Sequence, residues 1–571
     1  MSVPQAGHIP LAASGGASGR DECRPSTVEG VLALLKDELD RGEYVRAYDT
    51  AEAARRQGLD DPLIRYRRVL ALARAGATET AAREYAEYRL AEHSDTDSRA
   101  LWARIMKDRA LAAPRAERSL RLHEAADAYR AVHAETGSYF PGINAATLYL
   151  LAGENGLGRT LAAGLLQDPA LREGADYWEA ATRAEALLIL GEGEAAAAEL
   201  HAARRLVGRS WGSLSSTRRQ LRRLLEAAPV EGLPVERLLD ILRPPRVAHL
   251  NPDPGAPGDE LAVLLRRHEV GFAVVALWSE DSVAAAEAAL AAGIDLAVVL
   301  PFQAEAYLAD ADRLLAPAEA ARRRACLDGA RSILAVTADA DHADDALVAY
   351  AGVVAEGLAR TRAHRLSTDC LVLPPAQPAR PALSARPADE TPSGRELRAL
   401  LFSDAKGFSK LSESELPGFW TRFMTEMART LDAAGEGVLY RNTWGDAIFC
   451  VLDTSETAAE LALSMQERAA ELRADHPRSP VLRIGLHHGP VFRGWDPVCR
   501  MPAYFGTQVS RAARVEPIVP PGDVYVTEPF AAVLAAAGAR AFECEYVGVL
   551  PLHKDYGEHR MYRLARRWEH E

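Results

Sequence analysis

Between Pro374 and Gly394 the chain sets Pro374, Pro375, Pro378, Pro381, Pro387 and Pro392 among Ala, Ser and Arg. Each proline lacks a backbone donor and fixes φ, so neither a helix interior nor a central strand passes through such a stretch. Residues 374–394 read as a semi-extended linker. The linker divides the 571 residues into a long N-terminal part and a C-terminal part, 395–571, each of which must bury its own core. A chain of this length exceeds one ordinary domain.

The N-terminal part changes character twice. Residues 1–27 are rich in Gly, Ala, Ser and Pro and lack a basic start followed by an apolar core. They read as a disordered leader, not a signal peptide. Residues 28–242 are dominated by Ala, Leu, Arg and Glu, good helix formers, with Gly-centred breaks. Gly42-Glu43-Tyr44-Val45-Arg46-Ala47 realigns with Gly76-Ala77-Thr78-Glu79-Thr80-Ala81 at an offset of 34 residues, the tetratricopeptide period. Breaks at Gly153 and Gly191 repeat the unit more loosely. The pattern predicts an α-solenoid of TPR-like repeats whose concave face takes a protein partner. A plain Ala-rich helical bundle is the other arrangement open to this composition.

Residues 243–373 alternate apolar runs with helical stretches. Arg246–Leu250, Phe272–Leu277, Leu296–Leu300 and Ser332–Val336 read as strands, and Ser282 to Ala292 as a helix between them. Strands alternating with helices predict a doubly wound, parallel α/β domain with ligands at the carboxyl ends of its strands. Here those ends carry Asn251-Pro252-Asp253, Ser279-Glu280-Asp281 and Pro301-Phe302. No GxGxxG and no Walker loop is present. In overall pattern the segment resembles the Rossmann-like nucleotide-sensing domains that accompany helical repeats in bacterial signalling proteins. A nucleotide ligand and a purely structural spacer both fit it.

The net charge of −13 and pI near 5.7 speak against a general nucleic-acid-binding surface. No apolar run approaches the roughly 20 residues that a membrane helix needs. The six cysteines are scattered without a CxxC pair, as expected of reduced thiols in a cytoplasmic protein.

Chemistry concentrates in 395–571. Leu397, Leu400, Leu401 and Phe402 lead into Asp404, and Gly407 then breaks the pattern. Some forty residues on, Gly445-Asp446 forms a tight turn before the apolar run Ala447–Leu452. Carboxylates at the ends of neighbouring strands suit hard divalent cations, and two such cations can clamp a triphosphate and activate a hydroxyl. The expected element order is strand 397–403, helix 416–434, hairpin 437–443 and 446–452, helix 457–473, strand 482–487, a strand or turn near 490–492, a helix from Gly506 to Val515, and β pattern at 523–526 and 560–563. That order predicts a ferredoxin-like α+β fold, βαββαβ with additions.

These residues resemble the class III nucleotidyl cyclase catalytic domain, the adenylate and guanylate cyclase family. The resemblance rests on Phe402-x-Asp404-x-x-Gly407-Phe408-Ser409-x-Leu411, on Gly445-Asp446, on Arg483-x-Gly485-x-His487-x-Gly489, on Phe505-Gly506-x-x-Val509-Ser510-x-Ala512-x-Arg514, and on Pro521 to Thr527. It implies that Asp404, Asp446 and the backbone of Ala405 hold two Mg²⁺ or Mn²⁺ ions per site. It also implies that backbone N–H groups around Gly407 and Phe408 receive triphosphate oxygens, that Arg514 stabilises transition-state charge, and that Lys554 binds triphosphate. The two aspartates and the arginine–lysine set would come from opposite protomers of a homodimer.

Three positions depart from the family pattern. Asn442 stands where the family carries a purine-reading Lys or Glu. Ala503 stands at its partner position, and Ser510 where a transition-state asparagine is usual. Neither the adenine nor the guanine pair is present, so the base is unspecified. The resemblance thus implies a nucleotidyl cyclase acting on a nucleoside triphosphate, regulated by its N-terminal domains. The departures keep open a catalytically degenerate nucleotide-binding or dimerisation module. His487 and His488 are expected to serve packing, and Trp444 and Trp495 to be core or interface aromatics.

Overall fold

The computed structural model describes residues 26–171, 176–252, 258–337, 344–374, 394–554 and 556–567. The leader up to Pro25, Asp253 and linker residues 375–393 lie outside them.

Among the described residues the elements of the N-terminal array are all helical. Helices Val28–Asp40 and Tyr44–Arg56 form one hairpin, and Pro62–Ala75 and Thr78–Glu87 form the next, displaced by the 34-residue period. Thr27 caps the first helix by accepting from the Gly30 N–H at 3.2 Å. Asp61 caps the third, with Pro62 in its first turn. Ala47 and Ala81, the small residues of the repeat, are fully buried. Arg68 pairs with Glu84 at 2.7 Å within the second hairpin, and Tyr48 of the first joins the two by donating its hydroxyl to the same carboxylate at 2.7 Å and accepting from Arg68 at 2.6 Å. Further helices run on to Ile241.

The central segment forms a sheet of β1 (Arg246–Leu250), β2 (Val270–Ala276), β3 (Asp295–Leu300), β4 (Ser332–Ala335) and β5 (Cys370–Leu373). The order is β4-β3-β2-β1-β5 and every pairing is parallel. The right-handed crossover rule puts the connections from β1 to β4 on one face and helix Asp345–Leu366, which leads to β5, on the other. Four strands lie where the apolar runs predict them. β5 has no counterpart in the sequence reading, because four residues abutting Pro374 give too short a pattern.

The C-terminal sheet contains β6 (Arg395–Lys406), β7 (Val438–Trp444), β8 (Ala447–Leu452), β9 (Val481–Asp496), β10 (Met501–Phe505), β11 (Val524–Thr527), β12 (Phe542–Pro551) and β13 (Glu558–Arg566). Its order is β12-β13-β11-β9-β6-β8-β7, with β10 paired to the end of β9. The segment β9-β6-β8-β7 is the antiparallel 4-1-3-2 arrangement of a ferredoxin-like core. It differs from the sequence reading in two respects. Residues 490–492 are not a separate element, since β9 runs unbroken through Pro490, which pairs in register with Leu397 of β6. β10, β12 and helix Glu528–Ala536 lack expected counterparts; half-exposed edge strands alternate too weakly to be read. Trp444 and Trp495, expected as core or interface aromatics, are 71% and 47% exposed and so belong to no core of this chain; the interface alternative stands.

The three parts interlock. The Tyr350 hydroxyl donates to the His488 carbonyl. Arg511 donates to the Val336 carbonyl at 3.1 Å, just past β4. Glu545 accepts from the backbone N–H groups of Glu79 and Thr80 at 2.9 and 3.0 Å. A Cβ added at Gly357 would lie 1.8 Å from the Ala532 carbonyl oxygen, so only glycine lets helix Asp345–Leu366 approach helix Glu528–Ala536 this closely.

Candidate active site

Asp404 stands near the end of β6, opposite Arg483 on β9. Asp446 occupies the two-residue turn joining β7 to β8, after Gly445 at φ +63°. A positive φ at the first central position suits the twist of a tight hairpin. Because β8 pairs with β6, the turn is carried to the end of β6. The Asp446 carboxyl lies against the Asp404 carboxyl and the Ala405 N–H; burial and then the neighbouring Asp404 charge push its pKa up. The sequence-predicted metal residues are therefore brought together.

Arg483, quoted in the sequence motif but given no role there, is the residue that organises this acid pair. It binds Asp404 and also reaches Glu516 Oε1 at 2.8 Å. Burial pushes the Glu516 carboxyl up to about 7, against the pull of Arg483 and with Asp404 and Asp446 adding to the rise. Two carboxyls thus share one guanidinium, and Asp446 stands beside the first of them. The signal that identifies Arg483 is its register opposite Asp404, which no sequence spacing displays. Two adjacent carboxylates that resist joint ionisation are a fit for a hard divalent cation. Among the described residues no group of three His, Cys, Asp or Glu side chains is arranged to hold a metal. Two carboxylates plus substrate oxygens are the sparse protein ligation that Mg²⁺ accepts.

After β6 the chain turns at Gly407, φ +105°, a conformation other residues rarely adopt. A single 3₁₀ turn, Phe408–Lys410, follows. The Phe408 ring packs on Phe419 with centroids 4.8 Å apart, fixing the turn beside the aspartates.

Helix Thr507–Val515 carries Ser510, exposed, and Arg514, half-buried in its last turn. This helix lies across β9: a Cβ at Gly485 would meet the Glu516 backbone nitrogen at 2.7 Å. The Arg514 guanidinium sits 6.0 Å from the Tyr556 ring centre, and its Nε is buried without a hydrogen-bond partner. Lys554 is exposed at φ +61° in the β12–β13 loop that also carries Tyr556. Among the described residues, Ser510, Arg514 and Lys554 make no hydrogen bond or ion pair with Asp404 or Asp446.

Asn442 lies on β7 opposite Phe449, and its Oδ1 accepts from the Thr443 N–H at 2.8 Å. Ala503 lies on β10 opposite Gly494. Tyr440 and Tyr504 touch, with ring centres 6.1 Å apart, and bring β7 and β10 together. His487 is fully buried, bound to Thr527 Oγ1 at 2.7 Å and Gln508 Oε1 at 2.8 Å. His488 is buried against Tyr350. Both are packing residues, as expected.

Residues 395–565 match the family described as the adenylate and guanylate cyclase catalytic domain. Residues 43–149 match the tetratricopeptide repeats-sensor family, which decides for repeats over a plain bundle. An adenylate cyclase of Streptomyces griseus is 33% identical over 141 residues, 24% of this chain and 32% of that protein. One of Streptomyces coelicolor (strain ATCC BAA-471 / A3(2) / M145) is 34% identical over 147 residues, 25% of this chain and 35% of that protein. The match thus spans about a third of these relatives' length. The solved guanylate cyclase domain of a Catenaria anguillulae protein, in complex with GTP, is 21% identical over 30% of this chain and 98% of its own, with a TM-score of 0.27. No helix among the described residues is long and apolar enough to cross a membrane.

Proposed function

Since its C-terminal segment is an adenylate and guanylate cyclase catalytic domain by family match, we propose that this chain is a nucleotidyl cyclase converting a nucleoside triphosphate to a 3′,5′-cyclic nucleotide and pyrophosphate, an intracellular signal. The observation that carries the reading is the convergence of Asp404 and Asp446 beside the Gly407 turn. Two divalent cations, Mg²⁺ or Mn²⁺, held by Asp404, Asp446 and the Ala405 carbonyl, would acidify the ribose 3′ hydroxyl and neutralise the triphosphate. The chain's own groups do the rest. Backbone N–H groups at Gly407 and Phe408 orient phosphate oxygens. Arg483 holds Asp404 in place.

Ser510, Arg514 and Lys554 would come from a second copy of the chain. Arg514 presents a planar donor fork to charge developing at the α-phosphate. Lys554 meets the terminal phosphates, and Ser510 hydrogen-bonds the ribose or water. Separation of the half-sites on one chain supports a homodimer with shared sites. Asn442 and Ala503 face the base. The helical array and central domain, locked to the catalytic domain by Glu545 and Arg511, would set its activity.

Purified protein incubated with each of the four NTPs and Mn²⁺ or Mg²⁺ tests the reading. One cyclic product, lost in Asp446→Ala, is expected. No product from any NTP across a range of protein concentrations would overturn it in favour of a degenerate nucleotide-binding module. The Asn442 amide, already engaged by its neighbour's N–H, and the featureless Ala503 side chain are what favour that second reading.

A further inference from the structure

The chain carries a net charge of −13, yet one cavity of about 1470 Å³ is walled by seventeen Arg or Lys side chains against seven Asp or Glu. It lies where the helical array, the central sheet and the β12–β13 edge of the catalytic domain meet. Several of these cations are paired: Arg331 binds Asp37 and Glu43, Arg560 binds Asp49, and Arg563 binds Glu545.

On the array's wall a group of four is not so neutralised. Helix Thr96–Ala112 contributes Arg104 and Lys107, and helix Trp211–Ala227 contributes Arg219 and Arg223. Spacings of three and four residues line each pair along one helix face. Lys107 Nζ reaches Gln220 Oε1 at 3.2 Å, tying the two stripes together. The carboxylates near them are Asp108, 3.6 Å from Arg104, Glu185, which acts on Lys107, and Glu226, which acts on Arg223. The Arg104 Nε is buried without a hydrogen-bond partner, and Arg219 and Arg223 make no hydrogen bond or ion pair with any described residue. Arg219 and Lys107 are half-buried, and burial pushes the Arg219 pKa down and that of Lys107 down to about 8; Arg223 is exposed. Clustered, partly buried cations that outnumber their carboxylate partners repel one another unless an anion satisfies them.

We propose that this cavity binds a small polyphosphorylated ligand, its phosphate oxygens held by Arg104, Lys107, Arg219 and Arg223. The volume exceeds that of most small-molecule pockets, which run to about 1,000 Å³, and leaves room for a nucleoside beside the phosphates. The opposite wall includes Cys544 of β12 and Arg563 of β13, and the loop joining those strands carries Lys554 and the Tyr556 ring beneath Arg514. Occupancy therefore acts on the strand pair that presents the triphosphate-side residues. This last link rests on the cyclase reading; the binding does not.

The test is calorimetric titration of the full chain with inorganic tripolyphosphate in excess chelator, which keeps divalent-dependent binding at Asp404 and Asp446 out of the signal. Saturable binding at one site per chain is expected. Arg219→Gln/Arg223→Gln should weaken it about 20-fold or more. Arg478→Gln, at an exposed position of the catalytic domain, should leave it unchanged. The double variant should also melt higher than wild type without ligand, because like charges are removed, and lose the tripolyphosphate-induced rise. A structural role for the two arginines predicts a lower melting temperature instead. No saturable binding by wild type, undiminished binding by the double variant, or saturation by polyglutamate that tripolyphosphate fails to displace would each overturn the proposal. Cyclic-nucleotide turnover is a separate readout, so failure of the binding and failure of the cyclase reading are told apart.

Discussion

Asp49, on the second helix of the array, accepts from Arg560 Nε on β13 at 2.9 Å, and the Tyr546 hydroxyl donates to the same carboxylate from β12. A repeat-array acid thus holds both strands of the hairpin whose loop carries Lys554. Breaking a buried ion pair leaves an uncompensated charge and costs about 3–5 kcal/mol; Glu528, 3.5 Å from Arg560, offsets part of this. Asp49→Ala should lower the thermal midpoint of the full chain by several degrees and open the β12–β13 loop to limited proteolysis. Unchanged protection of that loop would show that the contact does not restrain it.

Asp404 and Asp446 repel each other. Asp446→Asn removes that repulsion, so the variant should melt higher than wild type in chelator while losing about 100-fold or more in turnover. It should also lose the Mn²⁺-induced rise in melting temperature. A lower chelator melting temperature would mean that Asp446 serves the turn and not the cation.

Shared sites make a specific arithmetic prediction. Asp446→Ala and Arg514→Ala should each be inactive alone. Mixed at equal concentration, half the dimers become heterodimers with one intact site of two, restoring about a quarter of wild-type activity. A mixture as inactive as its components would place both half-sites on one chain.

Gly357→Ala puts a methyl into the Ala532 carbonyl oxygen. Both are helical backbone, so the helices must separate. Overpacking of this kind costs about 1–3 kcal/mol. The expected result is a second, earlier unfolding transition as the central and catalytic domains part. One cooperative transition at the wild-type temperature would contradict the close packing.

Burial pushes His488 down to about 4 from its ordinary 6.5, the nearby Arg398 adding to the fall. The unfolded chain takes up that proton below about 6.5 and the folded one does not. Its contribution to stability is therefore present above that pH and is lost as pH falls toward 4. Each tenfold difference in proton affinity is about 1.4 kcal/mol, so the loss is on the order of 2–3 kcal/mol. Glu38, pushed up to about 7 by burial, runs the opposite way, its contribution shrinking as pH rises through that range. The informative quantity is thus the difference between wild type and His488→Asn, which should narrow as pH falls from 7 to 4. A difference independent of pH would mean that His488 is not held neutral.

The sequence by itself determined the order of the catalytic segment's core strands, the repeat and four of the central strands, because hydrophobic period and glycine position are local properties. It also picked out Asp404, Asp446 and Arg514, whose motifs are contiguous. It did not display β12, whose pairing with β13 is decided at a sheet edge, nor Arg483's hold on Asp404, which depends on strand register across 79 residues. Lys107 is one of few lysines in the chain, yet its role emerges only when helices more than a hundred residues apart place it beside Arg219 and Arg223. Pairings and electrostatic fields between distant segments are properties of packing, so the tertiary structure alone decided the partners of the acid pair and the location of the cationic cavity.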